Sequence, residues 1–144
     1  ALITLGQIDS PVERMRLFDL SVKAGFVLPT IIAPSAYVSP HATIGAGTII
    51  MHGAIINPGV VVGRNCIINS RALIEHGSQV ADHCHVSTGA ILNGNTSLGI
   101  GSFIGSGATI KEGVSIGARS LVGMGLSVRH DLSENTLFLG IKNS

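Results

Sequence analysis

An aliphatic residue stands at every sixth position from Val38 through Ile44, Ile50 and Ile56 to Val128, sixteen consecutive positions without a slip. Two residues before each lies a small or short side chain, among them Ala36, Ala54, Cys66, Ala72, Ser78, Cys84 and Ala90; only Leu126, at the end, is larger. Gly, Asn or Ser often follows the aliphatic position, as at Gly45, Asn57, Asn69 and Gly105. A period of six is neither the 3.6 of a helix nor the plain two of a strand. It means short strands broken by a turn in every repeat, the hexapeptide signature of a parallel β-helix. Residues two apart share a side of a strand, so the aliphatic and small positions face inward together. Three hexapeptides close one triangular coil, which stacks residues 18 apart at roughly 4.8 Å. Sixteen repeats make just over five coils.

The composition suits such a narrow, layered core. Aromatic residues are 3% of the chain, there is no Trp, and Gly reaches 19. Charged residues are only 12%, the net charge is +1, and the nine Lys and Arg form no basic stripe, so a nucleic-acid partner is not expected. No apolar run approaches the roughly 18 residues of a membrane span, and no charged start precedes an apolar stretch. Two cysteines do not make a disulfide scaffold, which points to a cytoplasmic protein without membrane insertion.

The first thirty residues read differently. Leu2–Leu5 suggest a short strand ending at Gly6, and Ser10-Pro11-Val12-Glu13 suggests a helix start with a capping box. Val12, Met15, Phe18 and Val22 then give an apolar helical face, and Gly25 ends it. A strand–helix unit cannot fold alone. We therefore expect residues 1–34 to be the C-terminal remnant of an α/β domain, and residues 35–144 to form the β-helix with a C-terminal tail. The chain opens at Ala1 inside an apolar run, so we expect a fragment or a processed form.

Once the repeat is set, every polar residue has an address. His76 lies two past Ile74, at an outward corner, and the residue stacked on it one coil later is Gly94. An imidazole beside free backbone N–H groups is the pair that acyl transfer needs: one removes a proton from the attacking group, the other stabilises an oxyanion. A solvated turn His beside a turn Gly is the alternative. His85, one residue before Val86, faces outward on the wall opposite the His76 corner, roughly 15 Å or more away on one chain. The two rings could meet only across a subunit boundary. Asn57, Glu75, Asn93 and Lys111 form a vertical ladder beside the His76 corner, either structural or, through Glu75 and Asn57, catalytic and substrate-binding. Asn69, stacked on Ser87 and Gly105, is a further outward polar residue and a candidate substrate contact. Cys66 and Cys84, also 18 apart, point inward as core filler, because parallel stacking directs their side chains poorly for a disulfide. Gly105–Lys111 faintly evokes a phosphate loop but sits wholly within the hexad register with no following helix, and is discarded.

The stretch Asn69-Ser70-Arg71-Ala72-Leu73-Ile74-Glu75-His76, followed by His85-Val86-Ser87 and Gly94-Asn95, resembles bacterial sugar acetyltransferases of the sialic acid O-acetyltransferase and bacillosamine-pathway N-acetyltransferase type. The resemblance runs over essentially the whole chain, and the Ile-Glu-His run with a second His nine residues on is its most specific part. It implies a left-handed coil, a homotrimer binding acetyl-CoA in clefts between neighbouring β-helices, and a preceding Rossmann-like domain that binds the nucleotide sugar. By motif match, His76 is similar to the general base and His85 to a His contacting acetyl-CoA near its thioester. Gly94 falls where a backbone N–H meets the acetyl carbonyl, and Ser106 and Met124 where the main chain lines the CoA channel. Two departures stand out. The acid that often follows the base, raising its basicity, is replaced here by Gly77, so Glu75 or a partner-chain carboxylate would have to serve instead. The chain also ends Gly140-Ile141-Lys142 where relatives often read Gly-Ile-Pro-Ala-Lys.

The resemblance implies an acetyl-CoA-dependent enzyme that N-acetylates a nucleotide-linked amino sugar (a UDP-4-amino sugar type) for bacterial surface glycan or glycoprotein synthesis. O-acetylation of a sialic-acid-like sugar by the same machinery is the first alternative. A γ-type carbonic anhydrase shares the β-helix but needs three His around zinc, and His41, His76, His83 and His85 lack that pattern, so no metal site is expected. A silent scaffold is disfavoured by the presence of both His76 and His85.

Overall fold

A computed structural model describes residues 1–7 and 10–140. After one helix, Val12–Lys23, the described residues form eighteen two-residue strands, from Ile31–Ile32 to Leu137–Phe138. They assemble into three parallel sheets of seven, six and five strands, the flat walls of a triangular coil. The pairing carries the 18-residue repeat directly: Ile49 stands opposite Ile67, Ile67 opposite His85, and His85 opposite Phe103. We call the seven-stranded sheet the first wall, the sheet containing Leu73–Ile74 the second, and that containing Gln79–Val80 the third.

From Ile50 to Val128 every sixth-position aliphatic is buried, while Val38 and Ile44 near the first coil are half-buried. Burying each is worth roughly 1.5–3 kcal/mol, so the column of thin layers is held mainly by these residues. The small inward positions do a second job. Thr48 Oγ1, Ser102 Oγ and the thiols of Cys66 and Cys84 each donate to the carbonyl fifteen residues on, those of Gly63, Gly117, Ala81 and Gly99. Both cysteines are free and buried, and fill the hydroxyl position of their column. The Cys66 thiol, and then burial, push Cys84 well above its ordinary pKa, which keeps it a protonated donor.

The turns obey the same register. Residues with positive φ recur every six positions, as glycine at Gly53, Gly59 and Gly77 and as other residues at Asn65, Arg71, His83 and Asn95. Gly77, with φ +69°, therefore occupies the left-handed slot of its turn. The repeat ends by slipping two residues: Leu121 pairs with Leu137, sixteen rather than eighteen residues on.

The N-terminal segment differs from expectation. Residues 1–7 form no strand; the segment is held instead by point contacts, Ala1 bonding Val27 O at 2.6 Å and Gln7 bonding Gly101 O at 3.0 Å. The capping box is not made either, since Ser10 Oγ accepts only from Val12 N and Glu13 pairs with Arg16. Val12 and Val22 are more than half exposed, and the buried helix residues are Arg14 and Phe18. The helix thus lies on the coil through a mixed polar and aromatic face. The first strand, Ile31–Ile32, already pairs with Ile49–Ile50, so the coil starts within residues 1–34. The Gly-Ile-Lys ending continues outside the described residues. Among the described residues, no helix is long and apolar enough to cross a membrane.

Candidate active site

The candidate residues fall into two groups on different sides of the coil. Glu75, His76, Gly94 and Asn57 gather at the corner between the second and third walls. Asn69, His85, Ser106 and Met124 gather along the first wall and the corner that follows it.

At the first corner the exposed His76 ring packs closely over Gly94. A Cβ placed on Gly94 would stand 2.7 Å from both Cε1 and Nε2 of that ring, so only glycine leaves the imidazole its seat. The main chain ties the two coils beside them, Asn95 N donating to His76 O at 2.9 Å. Gly94 occupies the turn position whose N–H takes no part in the ladder, and among the described residues nothing accepts from it. The equivalent N–H of Arg64 shows what such a group does when an oxygen is offered, donating to Asp82 Oδ1 at 2.7 Å. An imidazole nitrogen and an open N–H therefore share one corner, the arrangement needed to move a proton and hold an oxyanion.

The ladder beside this corner forms only in part. Asn57 Nδ2 donates to Glu75 Oε2 at 2.8 Å, whereas the Asn93 amide turns to Ile110 O. No hydrogen bond joins Glu75 to His76 within the chain. Gly77 bears no side chain to replace the expected acid, and a Cβ there would collide with Asn95 Oδ1.

Of the second group, His85, Ser106 and Met124 line a groove of about 460 Å³, together with Ser87, Phe103, Gly105, Leu121, Gly123 and Leu139, while Asn69 lies behind the His85 ring. Ser87 and Ser106 share a hydrogen bond of 2.9 Å, and Met124 is 76% exposed. Gly105 is required here because a Cβ would press on Met124 N at 2.5 Å. His85 is outward-facing, as its register demands, yet buried, because the N-terminal segment covers it. Its Nδ1 donates to Gln7 O at 2.8 Å, and its Nε2 lies 3.3 Å from Asn69 Nδ2. Burial, with a smaller push from Arg14 and against the Gln7 carbonyl, holds the imidazole below its ordinary pKa, so it is neutral near pH 7. Its ring meets Phe103 edge to face at 5.1 Å.

Sequence reasoning missed the cluster that fastens the helix to this wall. Arg14 is buried, has no carboxylate partner among the described residues, and donates to the carbonyls of Asn65 and His83 and to Gln7 Oε1. Its Nε is, among the described residues, the buried side-chain polar atom without a partner. The signal was the i, i+4 pair Arg14–Phe18, which an apolar-only pattern passes over. His83 Nδ1 meets Asn65 Nδ2 at 2.8 Å and its ring meets Phe18 edge-on. Among the described residues, no group of three or more His, Cys, Asp or Glu side chains is placed to hold a metal ion.

Comparison with known proteins agrees with this architecture. The bacterial transferase hexapeptide (six repeats) family matches residues 41–76, and the hexapeptide repeat of succinyl-transferase matches 95–129; such repeats imply left-handed winding. Among solved structures, the acetyltransferase domain of PglB from Neisseria gonorrhoeae, in complex with acetyl coenzyme A, is 32% identical with a TM-score of 0.86. The match covers 88% of this chain and 62% of that one. PerB from Caulobacter crescentus, in complex with CoA and GDP-perosamine, is 36% identical with a TM-score of 0.87, covering 89% and 62% of the two chains. WeeI from Acinetobacter baumannii, at 24% identity and a TM-score of 0.84, covers 89% of this chain and 63% of its own and shares the fold. The chain therefore spans less than two thirds of the length of these relatives. No curated protein matches it significantly.

Proposed function

Because this chain belongs to the hexapeptide-repeat acetyltransferases, we propose that it transfers the acetyl group of acetyl-CoA to the amine of a nucleotide-linked amino sugar. The observation that carries this reading is the His76–Gly94 corner, where a ring nitrogen and an unused backbone N–H face the same space. The neutral amine attacks the thioester carbonyl and His76 takes a proton from the attacking nitrogen. The Gly94 N–H donates to the oxyanion as it forms. The intermediate collapses as the C–S bond breaks, the CoA thiolate takes up a proton, and an amide and CoA leave. An ammonium must shed its proton before attack, so the rate rises with pH.

The groove of His85, Ser106 and Met124 is the proposed seat of the coenzyme's pantetheine end, on main-chain groups for the most part. It lies on the wall opposite His76, so the two halves form one site only when a second copy of the chain brings its groove to the first copy's corner. We accordingly place the site between subunits of a homotrimer, the closed ring in which each chain offers both halves. Asn57 acts by holding Glu75, and Asn69 by holding His85; both remain beside the proposed substrate path. Residues 1–34, whose strand Ile31–Ile32 already joins the coil, are read as carrying the end of the nucleotide-sugar-binding domain, and the reaction as a cytoplasmic step in surface glycan or glycoprotein synthesis.

N-acetylation is favoured over O-acetylation because the relatives bound to coenzyme include one carrying GDP-perosamine, an amino sugar. The test is acetyl-CoA consumption by the protein against a panel of UDP- and GDP-linked amino sugars, with a sialic acid as comparator, products weighed by mass spectrometry. The reading requires an added acetyl group on the amino nitrogen of at least one nucleotide sugar. Acetylation confined to the sialic acid hydroxyl would replace it with the O-transfer reading.

A further inference from the structure

Gln7 is pinned from three directions although it lies in a segment without secondary structure. Its Oε1 accepts from Arg14 Nη2 at 2.8 Å, its Nε2 donates to Gly101 O at 3.0 Å, and its main-chain carbonyl accepts from His85 Nδ1 at 2.8 Å. The residue is 4% exposed and Arg14 is 2% exposed. Arg14 is itself held by the carbonyls of Asn65 and His83, one coil apart at the corner between the third and first walls. A guanidinium buried on neutral oxygens, with no carboxylate among the described residues, is a costly thing to retain for packing alone.

What this clasp controls is which nitrogen of His85 carries the proton. A carbonyl can only accept, so Nδ1 facing Gln7 O must be the N–H. The other side of the ring agrees independently. Asn69 Oδ1 accepts from Ser70 N at 2.7 Å, which turns the Asn69 amide so that its NH₂ faces His85 Nε2. Nε2 therefore carries the lone pair, faced by Asn69 Nδ2 at 3.3 Å, on a ring that lines the groove. We propose that Gln7 and Arg14 are positioning residues for the coenzyme site: Arg14 holds Gln7, and the Gln7 carbonyl fixes His85 as its Nδ1–H tautomer, so that Nε2 accepts a hydrogen bond from an amide N–H donor of the thioester ligand. The 3.3 Å contact from Asn69 is long enough for such a donor to displace it. The N-terminal segment is then part of the acyl-donor site and not merely a cover for the wall.

This inference rests on the proposed function for the identity of its ligand, while the tautomer does not. The experiment uses the protein with ¹⁵N-labelled histidine, comparing wild type, Gln7→Ala and Arg14→Lys by imidazole ¹⁵N NMR and by calorimetric titration with acetyl-CoA. Gln7→Ala removes the clasp but leaves Arg14 its bonds to Asn65 and His83, so the fold has an independent chance of surviving if a change at Arg14 disrupts it. Wild-type His85 should show a pyrrole-type Nδ1 and a pyridine-type Nε2. In Gln7→Ala this distinction should average toward a mixture of tautomers, and acetyl-CoA affinity should fall about three- to tenfold, the worth of one hydrogen bond. A purely structural role would leave both quantities unmoved in any variant that remains folded. An Nε2–H tautomer in the wild type, or an unchanged tautomer and affinity in folded Gln7→Ala, overturns the proposal. A tautomer that responds in a protein with no affinity for acetyl-CoA would keep the Gln7–His85 lock, overturn its role at a coenzyme site, and bring down the proposed function as well.

Discussion

At the scale of single residues, His76 and Gly77 carry the most chemical meaning. His76→Ala should reduce kcat by about 10²–10⁴ while leaving acetyl-CoA binding nearly intact, because the base acts on the acceptor. Steady-state rates with calorimetric coenzyme binding check this, and a variant keeping more than about half of kcat would make His76 a surface residue. Gly77 is the position where the family resemblance leads one to expect an acid, and its φ of +69° gives the reason a glycine is accepted there. An L side chain in that slot costs about 1–2 kcal/mol. Gly77→Ala and Gly77→Glu should therefore both lower the melting temperature by several degrees, measured by scanning calorimetry; a Glu variant as stable as the wild type would show that the turn does not need glycine. The corner itself was legible from the sequence, because the six-residue register assigns Gly94 to His76 by addition. The stacking of Asn57 on Glu75 was legible in the same way, but the turn of Asn93 to Ile110 O and the engagement of Asn69 with His85 were not, since register gives stacking partners but not which way an amide turns.

Among elements, the repeats and the helix contrast sharply. Each strand of the coil is two residues long and repeats one solution, so its inward face could be read position by position; even the cysteines follow the rule set by Thr48 and Ser102. The helix occurs once. Its docking depends on a buried Arg and on side chains of three coils, and no periodicity announces such a contact. His83 gives it a pH dependence. Burial is the main reason its pKa is depressed, with Arg14 adding to the effect and Asp82 opposing it. A histidine depressed in the folded state contributes stability that is present above its unfolded pKa of about 6.5. That stability is lost as pH falls through the lower folded value. His83→Asn suits the positive φ of 65°, keeps an oxygen to accept from Asn65, and removes the titration. Its denaturation midpoint should fall less steeply than the wild type's between pH 7 and pH 5. Equal slopes would remove His83 from the account.

For the molecule as a whole, the coil's three walls set what one chain can and cannot do. His76 and Gly94 sit at one corner, while His85, Ser106 and Met124 sit along the opposite wall and its next corner, and a rigid solenoid cannot fold one onto the other. Split sites of this kind make a direct test available. His76→Ala and His85→Ala are prepared separately, each with low activity at subsaturating acetyl-CoA, then unfolded together, mixed in equal amounts and refolded into mixed rings. If the site takes His76 from one chain and His85 from its neighbour, half the chains supply each intact residue. About a quarter of the interfaces then hold both, and activity should return to about a quarter of the wild-type value. Mixed rings no more active than the separate variants, with ring formation confirmed by sedimentation, would contradict a site shared between chains.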